Sequence, residues 1–210
     1  MHIAIAGNIG AGKTTLATKL AEYYNWIPCF ESVEDNPYLE DFYKDMPKWA
    51  FHLQVYFLNH RFNQVVQVQQ NPLPTIQDRT IYEDAHIFAT GLYKSGIMKP
   101  REFENYWGVY QTLLHFVAPP DVLIYLKGDI PKLMEQIKRR GRSYEQSLES
   151  YVTDLNAHYE SWIDNYTESP LIVYDIAQAD FLRSEQDWQT LIGQIDQILE
   201  RQTTQTKSVQ

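Results

Sequence analysis

Residues 7–14 read Gly-Asn-Ile-Gly-Ala-Gly-Lys-Thr and match the phosphate-binding loop pattern G-x-x-x-x-G-K-[ST] in full. A short apolar run, Ile3–Ala6, precedes the loop and predicts one buried strand. The segment Lys13–Tyr24 follows it, with apolar residues at helical spacing. Strand, glycine loop and helix therefore come in the order that binding of a nucleoside triphosphate requires.

The residue types in this loop suit that task. Glycines let the backbone fold around a phosphate chain, with N–H groups and the helix N-terminus facing the negative charge. We expect Lys13 to reach the β- and γ-phosphates and the Thr14 hydroxyl to hold Mg²⁺. The alternative, a glycine-rich turn that binds nothing, is disfavoured by the flanking strand and helix. The predicted ATP-binding residues of the loop are Gly7, Asn8, Ile9, Gly10, Ala11, Gly12, Lys13, Thr14 and Thr15.

Composition limits the function classes that remain. The chain has 210 residues and a net charge of −9, so a nucleic-acid partner, which needs surplus Lys and Arg, is disfavoured. Cys29 is its single cysteine, which excludes an intramolecular disulfide and a cysteine-based zinc site. An apolar run of membrane-spanning length is absent, and the first strand leaves no room for a signal peptide. We therefore expect a cytoplasmic protein with neither nucleic acid nor membrane as partner.

The pattern along the chain is typical of an α/β protein. Strands are predicted at Ile3–Ala6, Ile27–Phe30, Leu73–Gln77, Val122–Leu126 and Leu171–Tyr174. Helices are predicted at Lys13–Tyr24, Trp49–Gln70, Ile81–Tyr93, Arg101–Val117, Ile130–Arg139, Ser147–Tyr166 and Gln186–Arg201. This alternation favours a five-stranded parallel sheet with helices on both faces. We expect one domain over residues 1–201, with a short basic lid at about 136–146 and a disordered tail at 202–210.

Two carboxylates follow predicted strands. Glu31 comes directly after the second strand and Asp78 after the third. Ligands of parallel sheets bind at that edge, and nucleoside triphosphatases place a Mg²⁺-organising acid there. Either acid alone could be a solvated or capping residue, but two of them beside the loop strand favour chemistry.

A basic turn, Lys138-Arg-Arg-Gly-Arg142, follows the fourth strand and its helix. Cations also accumulate at ordinary helix C-termini. In an acidic, phosphate-binding chain the cluster is better explained as a clamp on the transferring phosphoryl group, where arginine supplies forked hydrogen-bond donors.

Together these motifs resemble those of the deoxynucleoside kinases, and the likeness extends from the first strand to about Phe181. Glu31, in Phe-Glu-Ser-Val, is similar to the carboxylate that contacts the substrate 5′-hydroxyl, with serine where the family has proline. The resemblance implies that Tyr43 and Glu145 bind the sugar 3′-hydroxyl and that Gln54 binds the base edge. Asp78-Arg79-Thr80 is similar to the family's acid-Arg-Ser motif, and the lid arginines are Arg140 and Arg142.

The residues that would bind the adenine of ATP, the phosphate donor, depart from the family pattern. Gln136 stands where the family often has an arginine that stacks on the ATP adenine, so Lys138 or Arg139 is a candidate substitute. The pair Asp180 and Phe181 is similar to the family's segment near the same base.

Specificity is predicted to rest on Gln54, Arg61 and Asp84. Gln54 and Arg61 are seven positions apart, so they project from one helix face about 10 Å apart along the axis. Apolar neighbours imply burial, and a buried arginine needs an acid such as Asp84. In the resembled family this trio accompanies purines and cytosine. We therefore expect deoxyadenosine first, with deoxyguanosine and deoxycytidine as close competitors.

The reaction implied is transfer of the ATP γ-phosphoryl group to a deoxynucleoside 5′-hydroxyl, with ATP and Mg²⁺ as cofactors. The predicted catalytic residues are Glu31, Asp78, Arg79, Lys13, Arg140 and Arg142. Glu31 is the favoured base and Asp78 its rival, while Thr14 and Asp78 are the predicted metal ligands. The family also implies a homodimer.

Two alternatives share the phosphate loop. A nucleoside monophosphate kinase of the thymidylate kinase type needs a second basic site for the acceptor phosphate, and none is obvious in the sequence. A nucleotide-dependent switch is disfavoured because the Asn-Lys-x-Asp motif that reads guanine is absent and because a switch has no use for a lid over a buried base-reading helix.

Overall fold

A parallel sheet forms the centre of the protein. The computed structural model describes residues 1–30, 36–141 and 149–207. The strands are β1 (His2–Gly7), β2 (Ile27–Cys29), β3 (Thr75–Asp78), β4 (Val122–Lys127) and β5 (Leu171–Asp175). They lie in the order β2-β3-β1-β4-β5, and every neighbouring pair is parallel. The five strands and the parallel α/β sheet predicted from the sequence are confirmed.

Helical segments connect the strands. They are α1 (Lys13–Tyr24), α2 (Leu39–Lys44), α3 (Met46–Gln70), α4 (Ile81–Glu83), a π-helical segment (Asp84–Ala89), α5 (Thr90–Lys94), α6 (Pro100–Leu114), α7 (Ile130–Arg140), α8 (Glu149–Ile163) and α9 (Glu185–Lys207). No helix of the described residues is both long enough and apolar enough to span a membrane.

The side chains of the central strands alternate between two buried faces, as a sheet covered on both sides requires. Ile3 and Ile5 of β1 pack into a cluster with residues of α1, α7 and α9. Ala4 and Ala6 face the other side, with residues of α8 and the π-helical segment. A further cluster joins α3, the π-helical segment and α6 away from the sheet. Helices α3 and α6 thus pack together through a hydrophobic cluster separate from those on the two faces of the sheet.

Four segments differ from their prediction. The helix predicted at Ile81–Tyr93 is interrupted by the π-helical segment, whose wider turn leaves no mark in the apolar periodicity. Helix α2 was not predicted, and α3 begins three residues early because Asp45 caps it by accepting from the Lys48 backbone N–H. Helix α6 ends at Leu114 rather than at Val117.

The tail is a fifth difference. Residues 202–207, predicted to be disordered, continue α9 as far as Lys207. The Gln202 side-chain amide donates to the Asp121 backbone carbonyl (2.8 Å), which fixes this part of the helix against the start of β4.

The topology places a crevice beside β1. From β1 the chain continues to β2 on one side, whereas from β3 it continues to β4 on the other. Ligands of open α/β sheets bind where the connections diverge in this way, beyond the carboxyl ends of the strands. Here that position lies between Gly7, which ends β1, and Asp78, which ends β3.

Candidate active site

The glycine loop after β1 has a conformation that only glycine adopts without strain. Gly10 and Gly12 have φ angles of +83° and +90°, in the left-handed region. A Cβ on Gly10 would lie 2.8 Å from the Leu133 backbone oxygen and 2.8 Å from Ile137 Cγ1, so the loop also packs tightly against α7. Gly12 occupies the N-cap of α1, which directs the free N–H groups of that helix towards the loop.

Two polar residues fix the loop from inside. The buried Lys13 ammonium donates to the backbone oxygens of Gly7 (2.8 Å) and Asn8 (3.0 Å). The Asn8 amide donates to the Val152 backbone oxygen (2.9 Å) and to Asn156 Oδ1 (3.1 Å), both on α8. The loop is therefore attached to the helix that follows the predicted lid.

Thr14 and Asp78 meet at the crevice. The Thr14 hydroxyl donates to Asp78 Oδ2 at 2.6 Å. Asp78 is 3% exposed, and its other oxygen, Oδ1, has no hydrogen-bond partner among the residues that the structure describes. A buried carboxylate oxygen without a partner next to a hydroxyl suits Mg²⁺, which uses few protein oxygens and completes its shell with phosphates and water. The described residues hold no cluster of three His, Cys, Asp or Glu side chains.

Arg79 is held in an unusual conformation directly after Asp78. Its φ angle is +73°, and such left-handed backbone costs about 1–3 kcal/mol outside glycine. Its guanidinium lies 4.6 Å from the Phe88 ring and 3.6 Å from Glu83 Oε1, and it donates to the Tyr159 hydroxyl at 3.1 Å. The strained backbone and the three contacts of the guanidinium together hold the Arg79 side chain in one orientation.

The three predicted specificity residues are all buried, and two of them form an ion pair. Gln54 and Arg61 lie on α3 and are 3% and 1% exposed, respectively. Arg61 Nε donates to Asp84 Oδ2 at 3.2 Å, which forms the buried ion pair expected from the sequence. Gln54 Oε1 has no hydrogen-bond partner among the described residues. An amide oxygen of this kind is available to an amino group on a nucleoside base.

A second cavity opens on the outer side of the phosphate loop. It is lined by Thr15 and Gln136, both predicted to bind ATP, and by Asp180 and Phe181, predicted to lie near the ATP base. Arg139 of α7 lines it as well, whereas Lys138 does not. Of the two substitutes considered for the missing arginine, the geometry favours Arg139, one helical turn beyond Gln136.

The remaining predicted site residues fall into two groups. Tyr43 is half-buried and packs against both the sheet core and the α3–α6 cluster. Arg140 is the exposed last residue of α7, before the left-handed Gly141. Glu31, Arg142 and Glu145 lie outside the described residues, so their predicted roles stay predictions.

The sequence reasoning overlooked two buried groups beside the site. Glu83 joins Arg79 to the phosphate loop, and its signal was the capping-box spacing Thr80-x-x-Glu83. Tyr106 of α6 lies near Asp84, and burial raises the pKa of its hydroxyl well above the usual value. That hydroxyl has no hydrogen-bond partner among the described residues. Nothing in the sequence distinguished Tyr106 from the other aromatic residues of its helix.

Known proteins share both the sequence and this architecture. The family model described as deoxynucleoside kinase matches residues 3–200. A deoxyadenosine/deoxycytidine kinase of Bacillus subtilis is 36% identical over 200 residues, which cover 94% of this chain and 92% of that protein. A deoxyadenosine kinase of Dictyostelium discoideum is 44% identical over 173 residues, 81% of this chain and 70% of its own length.

A solved structure gives the same result. Deoxyadenosine kinase from M. mycoides, with the products dCMP and dCDP bound, superposes with a TM-score of 0.83 at 31% identity. The match covers 94% of this chain and 100% of that one. Since the family model spans nearly the whole chain and these relatives match along most of their own lengths, the chain belongs to the deoxynucleoside kinase family and is an enzyme that phosphorylates deoxynucleosides.

Proposed function

We propose that this enzyme transfers the γ-phosphoryl group of ATP to the 5′-hydroxyl of a deoxynucleoside, with deoxyadenosine preferred. The observation that carries the proposal is the position of Asp78. Its carboxylate accepts from Thr14 of the phosphate loop, and its backbone oxygen accepts from Arg61 Nη1 (3.3 Å), a member of the set proposed to bind the base. One residue therefore connects the phosphate site to the base pocket, as transfer between two bound nucleotides or nucleosides requires.

In this mechanism the residues mainly bind and orient, because phosphoryl transfer is catalysed by positioning and charge stabilisation. The loop N–H groups and Lys13 bind the phosphates of ATP. Thr14 and Asp78 would hold Mg²⁺, which supplies neutralisation of the phosphate charge. Arg79 faces the acceptor side and stabilises charge on the transferring group. Glu31 orients the 5′-hydroxyl and accepts its proton.

The proposed base preference rests on the polarity of the side chains that would contact the base. Gln54, Arg61 and Asp84 are buried polar side chains that offer hydrogen-bond donors and acceptors, which suits the amino-bearing edges of adenine and cytosine. The curated relatives compared above are named for deoxyadenosine and deoxycytidine. We propose deoxyadenosine as the best substrate, with deoxycytidine and deoxyguanosine next.

The assembly proposed is a homodimer in the cytoplasm. A groove between α5, α6 and α8 is lined by half-buried aromatic side chains, which include Phe103, Trp107 and Trp162. A second copy of this chain would cover these aromatic rings, in line with the dimer that the family resemblance implies. The single cysteine is consistent with a reducing compartment.

One assay tests the proposed reaction against its rivals. The enzyme is incubated with ATP and Mg²⁺ together with each deoxynucleoside, each monophosphate, or neither, and ADP is followed. We expect ADP only with nucleosides. Formation with dTMP alone would indicate a monophosphate kinase, and slow formation that is independent of acceptor would indicate a switch.

The basic turn supplies a second prediction. We propose that residues 136–146 act as a lid whose Arg140 and Arg142 stabilise charge that develops during transfer. Alanine at either position should then lower kcat more than it raises KM for the nucleoside. Steady-state kinetics against Lys138→Ala, a neighbour that does not line the ATP-side cavity, provides the matched control. A change confined to KM would assign these arginines to binding alone.

A further inference from the structure

Glu83 is a fully buried acid at the start of the helical segment after β3, with 0% of its surface exposed. Its Oε2 accepts from the Thr80 backbone N–H (2.8 Å) and from the Thr80 hydroxyl (3.2 Å). Its Oε1 points the opposite way, towards the phosphate loop. The two oxygens of one carboxylate therefore serve two different parts of the site.

The Oε1 side joins three elements. It accepts from the Gly7 backbone N–H at 3.2 Å and from the Tyr159 hydroxyl at 2.8 Å. Arg79 Nη1 lies 3.6 Å away and also donates to the Tyr159 oxygen at 3.1 Å. The first residue of the phosphate loop, the arginine after Asp78 and helix α8 thus share one carboxylate oxygen.

The opposite charges of Glu83 and Arg79 stabilise this arrangement. A buried carboxylate is tolerated when it is hydrogen-bonded and paired with a cation, and Arg79 is the cation next to Glu83. Burial and the adjacent Glu83 raise the pKa of Tyr159, so this hydroxyl keeps its proton and donates to the carboxylate. The Arg79 guanidinium is consequently fixed on two sides, with the Phe88 ring covering a third.

We propose that Glu83 is a positioning residue for phosphoryl transfer: it holds the Arg79 guanidinium in register with the first N–H of the phosphate loop. This inference rests on the proposed function, in which Arg79 stabilises the transferring group. A guanidinium that is already oriented before ATP binds adds transition-state stabilisation without a reorganisation cost during the reaction. The strained backbone of Arg79 is maintained by the same contacts.

The competing explanation is that Glu83 only caps a helix. Thr80 and Glu83 form a complete capping box, and glutamine serves in that position as well as glutamate does. Glu83→Gln therefore keeps an oxygen for the Thr80 N–H but removes the charge that faces Arg79. This substitution separates the two explanations.

The experiment compares Glu83→Gln with Glu160→Gln, a carboxylate of α8 that instead accepts from Tyr125 and the half-exposed Lys127. For Glu83→Gln we expect kcat for the best deoxynucleoside to fall by about 10–100-fold, as for other residues that orient a catalytic group. The KM for the nucleoside should change little. The melting temperature should fall, because the buried Arg79 loses its anionic partner, so kcat is measured well below the melting temperature of the variant. Glu160→Gln should keep the wild-type kcat, and Glu83→Asp should keep more activity than Glu83→Gln because it retains the charge.

A double-mutant cycle supplies the readout that a purely structural role would not give. In an Arg79→Gln background, Glu83→Gln should have almost no further effect on kcat, since the group that it positions is gone. Tyr159→Phe serves if Glu83→Gln does not fold, because it removes one hydrogen bond from each of Glu83 and Arg79; we expect a smaller fall in kcat.

Wild-type kcat in a folded Glu83→Gln enzyme, or a loss that simply adds to that of Arg79→Gln, would overturn the proposal. If Glu83→Gln does not fold, wild-type kcat in Tyr159→Phe would overturn it. A wild-type enzyme that phosphorylates none of the deoxynucleosides would instead refute the proposed function.

Discussion

Arg61→Ala is expected to destabilise the protein by about 3–5 kcal/mol, because it leaves the Asp84 carboxylate buried without its guanidinium. The Arg61–Asp84 pair is 3.2 Å apart with side chains 1% and 3% exposed. The free energy of unfolding from denaturant titration measures the effect. Lys127→Ala, which breaks the half-exposed pair with Glu160, is the matched control and should cost no more than about 1 kcal/mol.

The double variant Arg61→Met with Asp84→Ala tests whether this pair reads the base. Since neither charge remains buried, the enzyme should fold. Its preference should move from purines towards thymidine, because the site no longer requires hydrogen bonds from the edge of the base. The measurement is kcat/KM for the four deoxynucleosides in wild type and double variant. An unchanged ranking would make the pair structural and remove the basis of the specificity proposal.

Glu31→Gln is expected to lower kcat by about a hundredfold or more while ATP still binds, because the amide keeps the size of the side chain and loses the proton acceptor. The motivation is the sequence, in which Glu31 follows the last residue of β2, Cys29, by two positions. Single-turnover kinetics with deoxyadenosine measures the chemical step directly.

The companion variant is Asp78→Asn. Asp78 accepts from Thr14 and has a buried oxygen without a partner among the described residues, so its substitution should reduce activity through the metal and respond to the Mg²⁺ concentration. Near-normal turnover in Glu31→Gln together with an inactive Asp78→Asn that no Mg²⁺ concentration restores would transfer the base role to Asp78.

The elements that were predictable from sequence are those with strong local signals. The phosphate loop has a fixed spacing, and the strands of a parallel sheet are continuous apolar runs. Helix α1 begins and ends at the predicted residues, Lys13 and Tyr24. The burial of Arg61 was predictable because apolar residues flank it on α3, and its pairing with Asp84 followed because a buried arginine needs an acid.

Other features depend on contacts between distant residues. The π-helical segment Asp84–Ala89 shows no break in the apolar pattern, although its first residue, Asp84, pairs with Arg61. Glu83 has the spacing of a helix cap, and only the packing of Tyr159 and Gly7 around it gives it a second role. The choice of Arg139 over Lys138 at the donor-base cavity required the rotation of α7 about its axis.

The central claim is transfer to a 5′-hydroxyl, and a substrate that lacks this group tests it most directly. Deoxyadenosine and 2′,5′-dideoxyadenosine are each incubated with the enzyme, ATP and Mg²⁺, and both ADP and nucleotide products are quantified by chromatography. The account predicts one 5′-dAMP for each ADP with deoxyadenosine, and no ADP above background with the dideoxy compound. Equal ADP formation from both compounds, or a phosphorylated product that keeps a free 5′-hydroxyl, would contradict it.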